Sequence, residues 1–265
     1  MTAPPEDRRL VFVCGLHRSG TTPLARCLAA HPQVSGFADT GATEDEGQHL
    51  QTVYPPASAH GGPGRFARDP RSHLTEDAPQ ATPENARRLM EQWAPHWNLD
   101  RPVLLEKSPP NLLMTRFLQA MYPRASFVVI VRHPVVVTLS TARWRRLQSL
   151  SSLFAHWFAA HETFAADAAH LRRLHVVRYE DLIADPGRTL KELGAFLDLD
   201  GPIPAETVEG HRSTTYERAW EGYARNPLRR PVRRRLCDRY GTAARRFGYD
   251  MADLDYRGPF PAEGT

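Results

Sequence analysis

Four short apolar runs stand out along the chain: "LVFVC" (10–14), "VLLE" (103–106), "FVVIV" (127–131) and "LHVVRY" (174–179). None is long enough for a core helix, and the third contains only Phe, Val and Ile, residues that fit a pleated surface buried on both faces. Each therefore reads as a buried parallel strand. The segments that follow have a helical period instead. Behind the first run, Leu24, Cys27 and Leu28 fall on one face; behind the second, Leu113, Phe117 and Met121 do the same. This alternation predicts an α/β fold: a parallel sheet with right-handed crossovers, flanked by helices.

Residues 36–100 break the rhythm. They hold Gly and Pro clusters ("YPPASAHGGPG") and one candidate helix, "TPENARRLMEQWAPHW", which Thr82 can cap and whose first turn suits Pro83. So long an excursion after the first βα unit is expected to be a helical insertion shaping a substrate pocket over about 40–100, a flexible surface excursion being the alternative. Its Tyr54, Phe66, Trp93 and Trp97 can line an acceptor or form the insertion's own core. Further helices are predicted over 153–168 and, capped by Asp185, within 185–199. The last third reads as arginine-rich and mostly helical. No internal repeat is visible, and 1–265 is expected to be a single domain.

Composition narrows the function classes. The chain has 265 residues, 41% hydrophobic and 24% charged, which is ordinary for a globular protein. Its net charge of +4 suits an anionic ligand. Arginine supplies nearly all the positive charge, and only Lys107 and Lys191 are lysine. Cys14, Cys27 and Cys237 form no C-x-x-C pair, which argues for a reducing compartment and against a disulfide framework or zinc site. No apolar stretch approaches the roughly 18 residues of a membrane span, and the first apolar run is too short for a signal peptide, so the cytoplasm is the expected location.

The candidate chemistry begins in "FVCGLHRSGTT" (12–22). Gly15 and Gly20 flank a strand-to-helix turn, where free backbone N–H groups and the helix dipole attract an anion. Thr21 and Thr22 add hydroxyl donors. The triphosphate-binding version of this loop needs lysine at the position of Thr21. Here the nearest cation is Arg18, inside the turn, which suits a phosphate ester needing no Mg²⁺. A glycine turn without a ligand is the plainer reading.

"GLHRSGTTPLARCLAAHPQV" resembles the 5′-phosphosulfate loop of the sulfotransferases that use 3′-phosphoadenosine-5′-phosphosulfate (PAPS), most of all the tyrosylprotein branch and its bacterial relatives. "FVVIVRHPVVVTLS" resembles that family's 3′-phosphate element, a strand-end Arg followed eight residues later by Ser, here Arg132 and Ser140. "EKSP" (106–109) matches its strand-end lysine, and "RYEDLIADP" (178–186) its Y-E-D-L segment. The elements occur in family order over most of residues 10–200. The resemblance implies a P-loop-type sheet and PAPS as sulfuryl donor, held by Arg18, Ser19, Gly20, Thr21, Thr22, Arg132, Ser140 and Tyr179. It also implies a late basic segment over the 3′-phosphate, for which Arg229, Arg230 and Arg233 are candidates. The residue types suit these tasks: a bidentate Arg grips phosphate, and Lys107 or Arg18 can neutralise the departing phosphate. Taken singly, Arg132 can instead pair with a carboxylate, Ser140 can bond its own helix, and Lys107 can simply be solvated.

The general base stays open. In the tyrosylprotein branch a glutamate follows the loop arginine by 21 residues, and Asp39 occupies that interval here. Glu44, Asp45, Glu46 and His49, in "TEDEGQHLQ", are rivals, Glu46 and His49 foremost, and an acidic surface loop without function is the other possibility. No metal cluster is expected: His156 and His161 lie five apart, on different helix faces. The arginine-rich stretch 226–248 reads as a solvated helix face, a phosphate site or a nucleic-acid patch. It lacks interleaved aromatics, which disfavours nucleic acid.

The expected activity is sulfuryl transfer from PAPS to a hydroxyl acceptor (a small molecule, a glycan or a lipid) by in-line displacement. Two rivals remain. A small nucleotide kinase or NTPase would use Asp181 for Mg²⁺. A catalytically idle nucleotide-binding module would need neither Lys107 nor a base.

Overall fold

A computed structural model describes residues 8–205 and 214–261. Five strands form one all-parallel sheet: β1 (Arg9–Gly15), β2 (Val34–Gly36), β3 (Val103–Lys107), β4 (Ser126–Val131) and β5 (Leu174–Arg178), in the order β2-β3-β1-β4-β5. The four apolar runs are β1, β3, β4 and β5. β2 escaped the pattern because only Val34 of its three residues is a strand former.

Alternation along the strands divides the interior in two. Phe12, Leu104, Phe127 and Val129 point to one face, with Phe117 of α3 (Thr115–Met121), Val135 of α4 (Pro134–Trp144) and Trp157 of α5 (Leu150–Ala168). Val11, Val13, Leu105 and Ile130 point to the other, against Leu24, Cys27 and Leu28 of α1 (Thr21–Ala29) and Leu190 and Leu193 of α7 (Pro186–Phe196). Both faces of β1 are thus dry, as its unbroken apolar run requires.

The long excursion starts after β2. It holds α2 (Pro83–Trp93), whose cap Thr82 accepts from the Asn85 N–H at 3.2 Å, and five 3₁₀ turns between Thr43 and Ser72. Tyr54, Phe66, Trp93 and Trp97 are buried in the first core, and Trp93 meets Phe12 edge-on at 6.1 Å. Core packing, rather than lining of a pocket, is their role. α5 begins at Leu150, before the predicted start, because Ser149 accepts from the Ser152 N–H. Asp185 caps α7 as expected, accepting from the Arg188 N–H at 2.9 Å. α6 (Tyr179–Ala184) follows β5, and α8 (Thr214–Arg225) and α9 (Arg230–Arg246) make the arginine-rich end helical. Among the described residues no helix is long and apolar enough to cross a membrane.

The excursion is fastened to the sheet by one carboxyl group. Glu106 of β3 is fully buried and accepts from the Gly47 N–H at 2.9 Å, the Ser108 hydroxyl at 2.6 Å and the Asn111 amide. Gly47 is obligatory there, since a Cβ would run into the Glu106 carboxyl. Burial pushes Glu106 up to about 7, with the Ser108 and Asn111 hydrogen bonds and the Lys107 charge opposing it. A carboxyl raised on folding adds stability below its unfolded value of 4.5, and that contribution is lost as pH rises through about 7. The stability of the wild type relative to Glu106→Gln is therefore expected to fall by on the order of 2–3 kcal/mol between pH 4.5 and 8. Urea denaturation of both proteins across that range measures it. The buried histidines titrate alike in both and cancel in the difference. A flat difference would mean that Glu106 is ionised throughout.

Candidate active site

All five strands point their C-terminal ends the same way, the side on which open parallel sheets bind ligands. In the strand register Val13 lies beside Lys107 and Gly15 beside Ile130, so the ends of β3, β1 and β4 form one short edge.

The turn between β1 and α1 wraps this edge. Ser19 closes it by donating to the Leu16 carbonyl from both its N–H (3.0 Å) and its hydroxyl (2.7 Å). Gly20 has φ 108°, and a Cβ there would lie 2.5 Å from the Tyr179 ring. Only glycine fits both constraints. The Thr21 and Thr22 amides, in the first turn of α1, have no partner within the helix, and both residues line the cleft. Arg18 sits in the left-handed region (φ 72°), from which its Nε donates to Ser140 Oγ at 2.8 Å.

Arg132 follows β4, buried, with one Nη donating to the Arg18 carbonyl at 3.0 Å and its guanidinium 3.8 Å above the Tyr179 ring. Burial lowers its pKa, with Tyr179 and Glu180 opposing that. Ser140 lies on the next helix, α4. Tyr216 of α8 completes the group. Partial burial opposes ionisation of its phenol, but hydrogen bonds with Ser140 and Arg18, and the Arg18 and Arg143 charges, outweigh that and hold it below the ordinary tyrosine value.

Lys107, at the end of β3, is buried. Its Nζ donates to the Glu44 carbonyl at 2.8 Å and pairs with Glu46 Oε1 at 3.2 Å. Gln48 donates to the other Glu46 oxygen, and His49 Nε2 lies 4.0 Å from it. Burial raises the Glu46 pKa, with the Lys107 charge as the chief opposing influence. A carboxylate and an ammonium are thus held together beside the anion loop.

These groups surround a cleft of about 780 Å³ that adjoins a hollow of about 440 Å³, the two sharing Arg18, Thr21, Thr22, Glu44, Ser140, Arg143 and Tyr216. Of the residues singled out from the sequence, Glu46 and His49 line the larger space, and Gly20, Arg132 and Tyr179 line the smaller. Ser19 is buried under the turn, and Lys107 lines a recess of about 70 Å³ with Thr22 and Glu44.

Others lie apart. Asp39 is exposed, just beyond edge strand β2 at φ 54°, and does not line the cleft. Arg229 and Arg230 are exposed at the start of α9, the first 5.1 Å from the Tyr223 ring, and Arg233 stacks on Trp220. Asp181 lines a separate hollow with Arg178 and Glu192. Sequence reasoning missed His17, Gln48, Arg143, Trp144 and Tyr216, all of which line the cleft. Arg143 had a signal, three residues after Ser140 on the same helix face. Tyr216 had none, because α8 arrives from a distant part of the chain.

The sulfotransferase family model matches residues 11–202. Similar solved structures include the sulfotransferase domain of the Synechococcus PCC 7002 olefin synthase, 21% identical with a TM-score of 0.51, covering 81% of this chain and 83% of that one. Sulfotransferase STF9 from Mycobacterium avium is 15% identical with a TM-score of 0.52, covering 96% of this chain and 79% of that one. The two likenesses show a common fold. Because the family match spans well over half of its length, the chain belongs to the sulfotransferase family.

Proposed function

We propose that the protein transfers a sulfuryl group from PAPS to a hydroxyl acceptor by in-line displacement. The observation that carries this reading is a run of anion-binding groups along two adjoining spaces. The β1–α1 turn lies at one end and Arg132 at the other, with Arg18, bonded to Ser140, lining both. PAPS has two separated anionic groups, a 5′-phosphosulfate and a 3′-phosphate, and needs both. A nucleoside-triphosphate reading is less well supported, since Thr21 replaces the loop lysine and Asp181 lies in another hollow.

The donor supplies the sulfuryl group and departs as 3′-phosphoadenosine-5′-phosphate (PAP). Glu46 accepts the proton of the acceptor hydroxyl as its oxygen bonds to sulfur. It is buried, its pKa is raised, and it lines the cleft. Asp39, expected to be the base from its interval, is left out of this reading because it is exposed outside the cleft. Lys107 and Arg18 neutralise the charge that grows on the 5′-phosphate as the bridging S–O bond breaks. Turning Lys107 from Glu46 toward that oxygen would free the Glu46 carboxylate to act.

Two results are expected. In a metal-free calorimetric titration, Arg132→Ala should weaken PAP binding by roughly 30- to 1000-fold and change ADP binding little, since only PAP carries the 3′-phosphate. An equal loss for both nucleotides would assign Arg132 to the adenosine or the 5′-end. In turnover with 2-naphthol as probe acceptor, Lys107→Ala should lower kcat by about 100-fold with a smaller change in PAP affinity. Glu46→Gln should be similarly slow, and Asp39→Asn should stay within about threefold of wild type. A slow Asp39→Asn beside an active Glu46→Gln would return the base to Asp39.

A further inference from the structure

His17 divides two spaces. On one side is the large cleft; on the other is a cavity of about 10 Å³ that His17 shares with Thr138 and His156. Three buried polar atoms belong to these residues: His17 Nδ1, Thr138 Oγ1 and His156 Nδ1. None has a hydrogen-bond partner among the described residues. Thr138 and His156 are 1% and 4% exposed, so bulk solvent does not satisfy them. A threonine inside a helix commonly bonds the carbonyl four residues back, yet Thr138 of α4 does not. Leu16, Gly64, Val137, Thr141 and Leu153 make up the rest of the wall, which is mostly apolar apart from the Thr141 hydroxyl. Phe66 meets both imidazoles edge-on, at 5.7 Å from His17 and 4.8 Å from His156, and holds the rings in place.

Leaving three polar atoms dry in such surroundings is costly. A volume of about 10 Å³ is near that of one water sphere, and three partners is the usual number for a buried water. We propose that one water in this cavity bridges Thr138, His156 and His17, and that it fixes the His17 ring so that Nε2 hydrogen-bonds the acceptor hydroxyl in the cleft. The second half rests on the sulfotransferase reading above; the first does not. His17 then touches substrate, and Thr138 and His156 are positioning residues behind it.

The electrostatics agree. Burial first, then the charges of Lys107, His49, Arg145 and Arg18, push the His17 pKa down to about 3, and burial does the same to His156. A neutral imidazole offers one donor and one acceptor, one for the water and one for the hydroxyl. It adds no positive charge to compete with the proton transfer to Glu46. The Trp144 ring, 6.1 Å from His17, stands with Ala57 and Pro63 along the same part of the cleft. That wall fits an acceptor whose hydroxyl is carried on an uncharged, apolar body.

The test has a structural arm and a binding arm. A crystal structure of the full chain should show one water within hydrogen-bond distance of all three atoms. It should be missing from Thr138→Val, which keeps the shape and removes the hydroxyl, and present in Thr138→Ser. A dry cavity in the wild type overturns the proposal whatever the protein catalyses. In the second arm, 2-naphthol is titrated calorimetrically into the protein–PAP complex, which needs no turnover. His17→Ala should weaken naphthol at least 10-fold with PAP affinity unchanged within about twofold, and His17→Gln should recover part of the loss. Thr138→Val should weaken it about 3- to 10-fold, and Thr138→Ser should restore it. Wild-type naphthol affinity in His17→Ala or Thr138→Val, or a wild-type PAP complex that does not bind naphthol, overturns the role given to His17. Failure of PAP itself to bind would instead count against the sulfotransferase reading, leaving the water to the crystal structure.

Discussion

An ammonium group cannot stay charged inside a protein without partners, and Lys107 is buried at the end of β3. Its charge is met by Glu46 and the Glu44 carbonyl, both from the excursion that follows β2. That pairing brings a loop of otherwise irregular 3₁₀ turns across the sheet edge, where Glu106 fastens it again through the Gly47 N–H. Most of the site follows from these two anchors. They set the wall of the cleft opposite the β1–α1 turn and place a carboxylate of raised pKa beside the only lysine in the region. A buried pair of this kind is weak evidence for stability, since desolvation offsets much of the attraction.

The second constraint is the parallel sheet itself. Its strand ends converge on one side, so residues far apart in sequence meet at one edge. Arg18, Arg132 and Ser140 are linked by hydrogen bonds of 2.8 and 3.0 Å before any ligand is present. Donors held in position in this way need little reorganisation on binding, and preorganisation is where electrostatic catalysis draws most of its strength. Tyr216 closes the group from α8, and its phenol depends on the same two partners, Ser140 and Arg18.

How much of this the sequence disclosed depended on how local each feature is. β1, β3, β4 and β5 were legible because strands buried on both faces must be apolar throughout; β2, with a single strand-forming residue, has no such signature. The loop residues and the Arg132–Ser140 spacing were legible because one turn or one strand–helix unit sets their geometry. The surroundings of the candidate bases were not. Counting 21 residues from Arg18 reaches Asp39, but an interval does not show that the chain turns outward past an edge strand and returns at Gly47, leaving Asp39 exposed outside the cleft and Glu46 on its wall. Likewise a run of arginines shows charge, not position: Arg229 and Arg230 are exposed at the start of α9, and neither lines the cleft or the hollow beside it. The excursion's aromatics met the reverse fate, since Phe12 and its neighbours needed covering and Trp93 supplies the cover.

In the proposed function, two anion subsites at one sheet edge together read a 3′-phosphorylated nucleotide. The most direct test is a metal-free crystal structure of the chain with PAP bound. The 5′-phosphate is expected against the amides of the Gly20–Thr22 turn, and the 3′-phosphate within hydrogen-bond distance of both Arg132 and Ser140. The Lys107 ammonium is expected to move from Glu46 toward the 5′-phosphate. A 3′-phosphate in solvent, or a nucleotide lying with its two ends exchanged, would contradict it.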